Sequence, residues 1–118
     1  IHVMDLAEAH VQALERLLKQ KQVSEVEVFN LGTGKGNSVL EVIKAFEQAT
    51  GVAVPHQIVA RRPGDVVAVY ADTQKASQVL GWSTKRDLKQ ALASAWVWEL
   101  QARYSHWWSS HPSADQWQ

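Results

Sequence analysis

The 118-residue sequence contains no cysteine. That excludes a disulfide framework and any cysteine-based zinc site. It also lacks an excess of charge, because Lys plus Arg and Asp plus Glu both number 12. A polyanion binder that relies on overall charge is thereby disfavoured and nucleic acid is not an expected partner, although a local basic pair can still grip a phosphate. No apolar run approaches the roughly 20 residues of a membrane span, and no secretory signal is visible. There is no internal repeat and no run of five like charges. What remains is a globular balance of 46% hydrophobic and 20% charged residues. The length suits one small domain, which can bury roughly 65% of its unfolded surface.

The first residue is Ile1 rather than Met. The sequence therefore reads as starting inside a longer chain, with Ile1-His2-Val3 as the tail of an earlier extended segment. Asp5 reads as a helix N-cap, with Glu8 completing a capping-box pattern. Ala7, Val11, Leu14, Leu17 and Leu18 recur at helical spacing, which predicts a helix over about 5–20. Residues 25–30 alternate, with Val26 and Val28 on one face, and predict a short strand. Gly32, Gly34 and Gly36 then break regularity. Ser38 and Glu41 form a capping box for a second helix with a Val39, Val42, Ile43, Phe46 stripe, and Gly51 is a natural C′ residue. Residues 54–59 read as a second strand. Strand, loop, helix and strand make a small parallel βαβ unit over about 25–60, with a right-handed crossover. Pro63-Gly64 marks a turn. Asp72 caps a brief helix over about 73–80 that ends at Gly81. A last helix over about 85–103 carries Leu88, Ala91, Leu92, Ala95 and Ala102 on one face, with Trp96 and Trp98 to either side, so at least one indole is half exposed. Residues 104–118 hold Trp107, Trp108 and Trp117 without a convincing period. They read as a separate Trp-rich tail, either without persistent structure or of foreign origin.

Few residue groupings carry chemistry by spacing alone. The glycine loop follows a strand and precedes a helix, where anions favour free N–H groups. The dinucleotide fingerprint G-x-G-x-x-G fails because its sixth position is Asn37, and the P-loop fails because Asn37 follows Gly36. The loop is most simply a glycine-supported turn. In Arg61-Arg62-Pro63-Gly64-Asp65, two guanidinium groups beside a tight turn can fork onto phosphate oxygens, and Asp65 can accept from sugar hydroxyls. A surface ion pair is the simpler reading. His106 and His111 are five apart, outside the spacing of a helical metal clasp, and His10 has no partner at i+4. No metal site is expected, and nothing resembles a nucleophile elbow.

Several blocks in order resemble the UDP-galactose 4-epimerases, among the extended short-chain dehydrogenase/reductases. They are Ile1-His2-Val3-Met4-Asp5-Leu6-Ala7, Phe29-Asn30-Leu31-Gly32-Thr33-Gly34, Ser38-Val39-Leu40-Glu41-Val42, Arg61 to Asp65, Tyr70-Ala71-Asp72, and Leu80-Gly81-Trp82 with the Trp96/Trp98 helix. The resemblance covers residues 1–103. It implies an α/β fold: the C-terminal, substrate-side part of a Rossmann-type cytoplasmic enzyme whose other half holds NAD. In such an enzyme NAD takes a hydride from C4 of the sugar and returns it to the other face, and a Tyr with a Lys four residues later supplies acid and base. Carried over by position, Arg62 binds the UDP diphosphate, Asp65 contacts the nucleotide ribose, and Val69 lies against the hexose. A small side chain at 69 leaves room for N-acetyl sugars beside UDP-glucose and UDP-galactose.

The departures are as informative. The sequence has no G-x-G-x-x-G and no Tyr-x-x-x-Lys; Tyr70 is followed by Lys75, one residue too far. The expectation is a part that on its own holds no cofactor, has no catalytic residues and does not turn over. Apolar stripes meant for absent chain would stand open, which predicts self-association, by exchange of the first or last helix. The alternative is a stand-alone, non-catalytic binding or oligomerisation module derived from a nucleotide-sugar epimerase or dehydratase.

Overall fold

The computed structural model describes the backbone of residues 1–110 and the side chains of residues 1–103. Three α-helices carry the fold: α1 (Val3–Leu18), α2 (Val39–Thr50) and α3 (Leu88–Ser110). A single π-helical turn, Ala76–Leu80, precedes α3.

Helix α1 starts two residues earlier than the capping pattern predicts. His2, not Asp5, is its N-cap: the ring Nδ1 accepts from the Met4 amide at 3.0 Å. Nδ1 therefore carries no proton, and Nε2–H faces the Ser94 hydroxyl at 3.0 Å. Ser94 in turn donates to the Ala91 carbonyl at 3.0 Å, so one imidazole ties the start of α1 to α3. Asp5 lies inside the first turn and is wholly buried, with 0% exposure.

The core is small. Trp82, 2% exposed, packs with Ala9 and Ala76, and Phe29, Leu31 and Leu80 lean on that cluster. The Trp82 indole N–H donates to the Asp5 carbonyl at 2.9 Å. A second contact joins α2 to α3, where the Phe46 and Trp96 rings meet edge-on with centroids 5.5 Å apart. Trp96 is half-buried and Trp98 exposed, as their flanking positions predict.

The predicted βαβ unit is not formed: among the described residues there is no strand. Residues 25–31 and 52–61 are neither helical nor paired as strands. Parallel strands are stable when both faces are covered, and two strands alone bury too little to hold a ladder. Here α2 packs on α3 rather than over a sheet, while Phe29 and Leu31 anchor the first segment elsewhere. The local chemistry around this region does hold. Ser38 and Glu41 make the reciprocal capping box, and Gly51 closes α2 in the left-handed region at φ 72°.

Helix α3 begins at Leu88, not 85. Asp87 and Gln90 cap it reciprocally, the Asp87 Oδ1 accepting from the Gln90 amide at 2.8 Å and the Gln90 Oε1 from the Asp87 amide at 2.9 Å. It runs past the predicted end at 103 to Ser110. The side chains of His106, Trp107 and Trp108, and all of His111 and Trp117, lie outside the described residues.

The radius of gyration is 19.8 Å, against about 13–14 Å for a compact domain of this length. The sequence composition is that of a globule, but the chain closes round only a small core. The apolar stripe Val11, Leu14, Leu17, Leu18 of α1 stands open.

Candidate functional site

Three stretches border one cleft of about 710 Å3: the loop 31–37, the segment 69–71, and residues 84–88 at the start of α3. The loop lies against the segment because Gly32 has no side chain. A Cβ there would sit 3.0 Å from the Ala71 Cβ. Gly34 turns the chain at φ 69°, and the Thr33 hydroxyl closes the turn by donating to the Lys35 carbonyl at 3.0 Å. Lys35 projects into the cleft wall with no ion-pair partner among the described residues.

The opposite wall is held by a charge network around the buried Asp5 carboxylate. Asp5 accepts from the Lys85 amide at 3.2 Å, from the Arg86 amide at 3.1 Å and from the Arg86 guanidinium. Glu8 accepts from Lys85 Nζ at 2.6 Å and Arg86 Nη1 at 3.1 Å. Burial works to raise the Asp5 carboxyl, but the amide and guanidinium of Arg86 and the amide of Lys85 outweigh it and hold it below its ordinary value. The Lys85 and Arg86 hydrogen bonds likewise hold Glu8 low, and Asp5 and Glu8 raise Arg86. The two cations at this wall are thus tied to carboxylates of α1. Nothing in the spacing pointed to this network, since its partners lie about 80 residues apart.

The predicted site residues are divided. Val69, 80% exposed, is in the cleft wall. Arg62 and Asp65 are not among the lining residues; they sit on the adjoining Pro63-Gly64 turn, where Gly64 has φ 87°. The Asp65 amide donates to the Arg62 carbonyl at 3.3 Å, and the Arg62 amide to Asp65 Oδ2 at 3.3 Å. The side-chain pair is loose, with Arg62 Nη2 3.5 Å from Asp65 Oδ1 and Arg62 84% exposed. Such a pair contributes little, so the guanidinium is available to another anion.

The loop does not fit a dinucleotide cradle. Its glycines are turned to the chain itself: Gly32 to Ala71, Gly34 to Thr73 and Gly36 to Tyr70. Among the described residues no group of three or more His, Asp and Glu is placed to hold a metal ion. No helix there is long and apolar enough to cross a membrane.

No family model matches the sequence. Comparison with individual proteins is decisive. The chain is 48% identical over 99 residues to UDP-glucose 4-epimerase of Bacillus subtilis, covering 84% of this chain and 28% of that protein. It is 44% identical over 114 residues to UDP-glucose 4-epimerase 2 of Arabidopsis thaliana, covering 97% and 32% respectively. Among solved structures, the UDP-glucose 4-epimerase of Stenotrophomonas maltophila, bound to NAD and formylated UDP-arabinopyranose, superimposes with a TM-score of 0.81 at 45% identity, over 89% of this chain and 30% of that one. The enzyme of Bifidobacterium longum, in complex with NAD+ and UDP, gives a TM-score of 0.73 at 46% identity, over 86% and 29%. The chain is homologous to a segment of the UDP-glucose 4-epimerases and spans about three tenths of their length.

Proposed function

We propose that this chain is the C-terminal, UDP-sugar-binding part of an NAD-dependent UDP-glucose/UDP-galactose 4-epimerase, acting in the cytoplasm. The observation that carries the reading is the identity of 44–48% spread over 84–97% of the chain. In this reading the Arg62 guanidinium forks onto the UDP diphosphate, exchanging its loose contact with Asp65. Asp65 then accepts from a ribose hydroxyl. Val69 supports a place for the hexose, since it stands in the cleft wall. A valine there leaves space that a tyrosine would fill, so N-acetyl sugars are accepted as well.

NAD belongs to the other part of the enzyme, because the loop 32–36 is packed against its own chain and the Tyr-x-x-x-Lys pair is absent. The chain alone, mixed with NAD and UDP-galactose, is expected to give no turnover. Calorimetry with UDP tests the site directly. Binding that is lost in Arg62→Ala supports it; binding unchanged in that variant refutes the assignment. In the complete enzyme, Val69→Tyr is expected to raise discrimination against N-acetyl sugars, and unchanged discrimination would refute the role of Val69.

A second reading, a non-catalytic binding or oligomerisation module, has one observation in its favour: the apolar face of α1 stands open. UDP binding absent in the presence of tight self-assembly would favour it.

A further inference from the structure

The imidazole of His2 binds the start of α1 to α3. It is 8% exposed. Its Nδ1 accepts from the Met4 amide at 3.0 Å, and its Nε2–H meets the Ser94 hydroxyl at 3.0 Å. Ser94 donates its own hydrogen to the Ala91 carbonyl at 3.0 Å. Both ends of this chain of bonds lie on the cleft. Ile1, next to His2, lines it, and so do Leu88 and Ala91 of α3. Three residues on, Asp5 holds the amides of Lys85 and Arg86, which line it as well.

This arrangement exists for the neutral ring alone. An N-cap must offer a lone pair to the orphan amides of the first turn. Imidazolium has none, because both of its nitrogens carry protons. Its Nδ1–H would point at the Met4 N–H, donor against donor. The new positive charge would also stand at the positive end of the helix macrodipole. The bond from Nε2–H to Ser94 survives protonation. The two halves of the latch therefore respond differently: the tie to α1 is lost and the tie to α3 is kept.

The charged groups on the elements around the ring are engaged elsewhere. On α1, Asp5 is bonded to Arg86 and to two amides, Glu8 to Lys85 and Arg86, and His10 to the Leu6 carbonyl. Ahead of α3, Asp87 caps with Gln90; on α3, Glu99 pairs with Arg103. Lys89 of α3 and the α-amino group of Ile1 are cations and offer nothing to an imidazolium.

We propose that His2 is a proton-sensitive positioning residue of the cleft. Neutral, it fixes the first turn of α1 against α3 and keeps Ile1 and the 85–91 border in place. Protonated, it releases that turn and loosens the border. The proposal does not depend on which ligand the cleft takes.

The test compares the full chain at about pH 7.5 and about pH 5.5, on either side of the ordinary histidine range. Protection of the Met4 amide against hydrogen exchange, corrected for the intrinsic rate, is expected to fall about 5-fold or more on acidification, the worth of one N-cap. The Ile1 and Leu88 methyl resonances are expected to shift along with the His2 ring protons. His2→Asn keeps a cap acceptor that does not titrate. In that variant Met4 protection is expected to be equal at the two pH values and the methyl shifts to vanish. Every other titrating group is common to both chains, so the difference belongs to the imidazole. Ser94→Ala leaves the cap and cuts the tie to α3. It is expected to keep the fall in Met4 protection while the Leu88 methyl no longer moves. If His2→Asn does not fold, the wild-type chain and Ser94→Ala decide alone. Met4 protection that ignores pH in the wild-type chain, a fall of equal size in His2→Asn, or a Leu88 methyl that moves equally in Ser94→Ala overturns the inference.

Discussion

Replacing Trp82 tests where the stability of the chain resides. Trp82 is the largest wholly buried apolar side chain; Ala9 and Ala76 are buried with it, and Phe29, Leu31 and Leu80 pack on the cluster. The two alanines cannot move in to fill the space an indole leaves. Trp82→Ala is therefore expected to lie toward the upper end of the usual range, at about 4 kcal/mol. Trp82→Phe keeps a ring in place and removes the indole N–H that donates to the Asp5 carbonyl at 2.9 Å. Its expected cost is about 1 kcal/mol for the bond, with a smaller addition for the lost ring area. Urea unfolding followed by helical circular dichroism separates the two. With slopes of about 1–3 kcal/mol per molar for small proteins, the alanine midpoint falls by more than 1 M. Equal losses in both variants, or a loss below about 1 kcal/mol in Trp82→Ala, would show that this cluster does not hold the fold.

Further outcomes follow from the charge network and the turns. Asp5, Glu8 and Glu27 are all held below their ordinary values in the folded chain. Their stabilisation is therefore complete above the unfolded carboxyl range near pH 4. It is lost as pH falls through the lower folded values, and urea midpoints should drop steeply there, less steeply in Asp5→Asn. Ser38→Ala removes one half of the capping box and is expected to cost about 1 kcal/mol, seen as faster amide exchange in the first turn of α2. Gly32→Ala is expected to push segment 69–71 away from the loop, because the new methyl meets Ala71 at 3.0 Å; an unchanged melting temperature would refute that contact. Gly51→Ala meets no neighbour within 4 Å, so only its φ of 72° opposes it, at about 1 kcal/mol.

Features written in local chemistry were legible in the sequence. The Ser38/Glu41 box, Gly51, the Pro63-Gly64 turn and the Gly81 stop all appear where their residues place them. Features that depend on distant partners were not. Asp5 looked like a cap because it stands three residues before Glu8, yet both carboxylates serve Lys85 and Arg86. The alternation at 25–30 pointed to a strand, but no ladder forms there, since a ladder also needs a neighbour. The cleft was half legible. Its glycine loop and Val69 could be named in advance, while the wall at 84–88 follows from a network that no motif encodes.

The Trp82–Asp5 bond spans 77 positions and the His2–Ser94 bond 92. Both bonds fasten the start of α1 to residues 82–94, like a clasp, and the stretch from Lys19 to about Asp72, itself tied back through α2 on α3 and through Phe29 and Leu31 on the Trp82 cluster, is looped between the halves of the fastening. Such topology places the kinetic bottleneck at closure of a large loop. Substitutions at the clasp should slow folding, whereas those along the looped stretch should chiefly hasten unfolding.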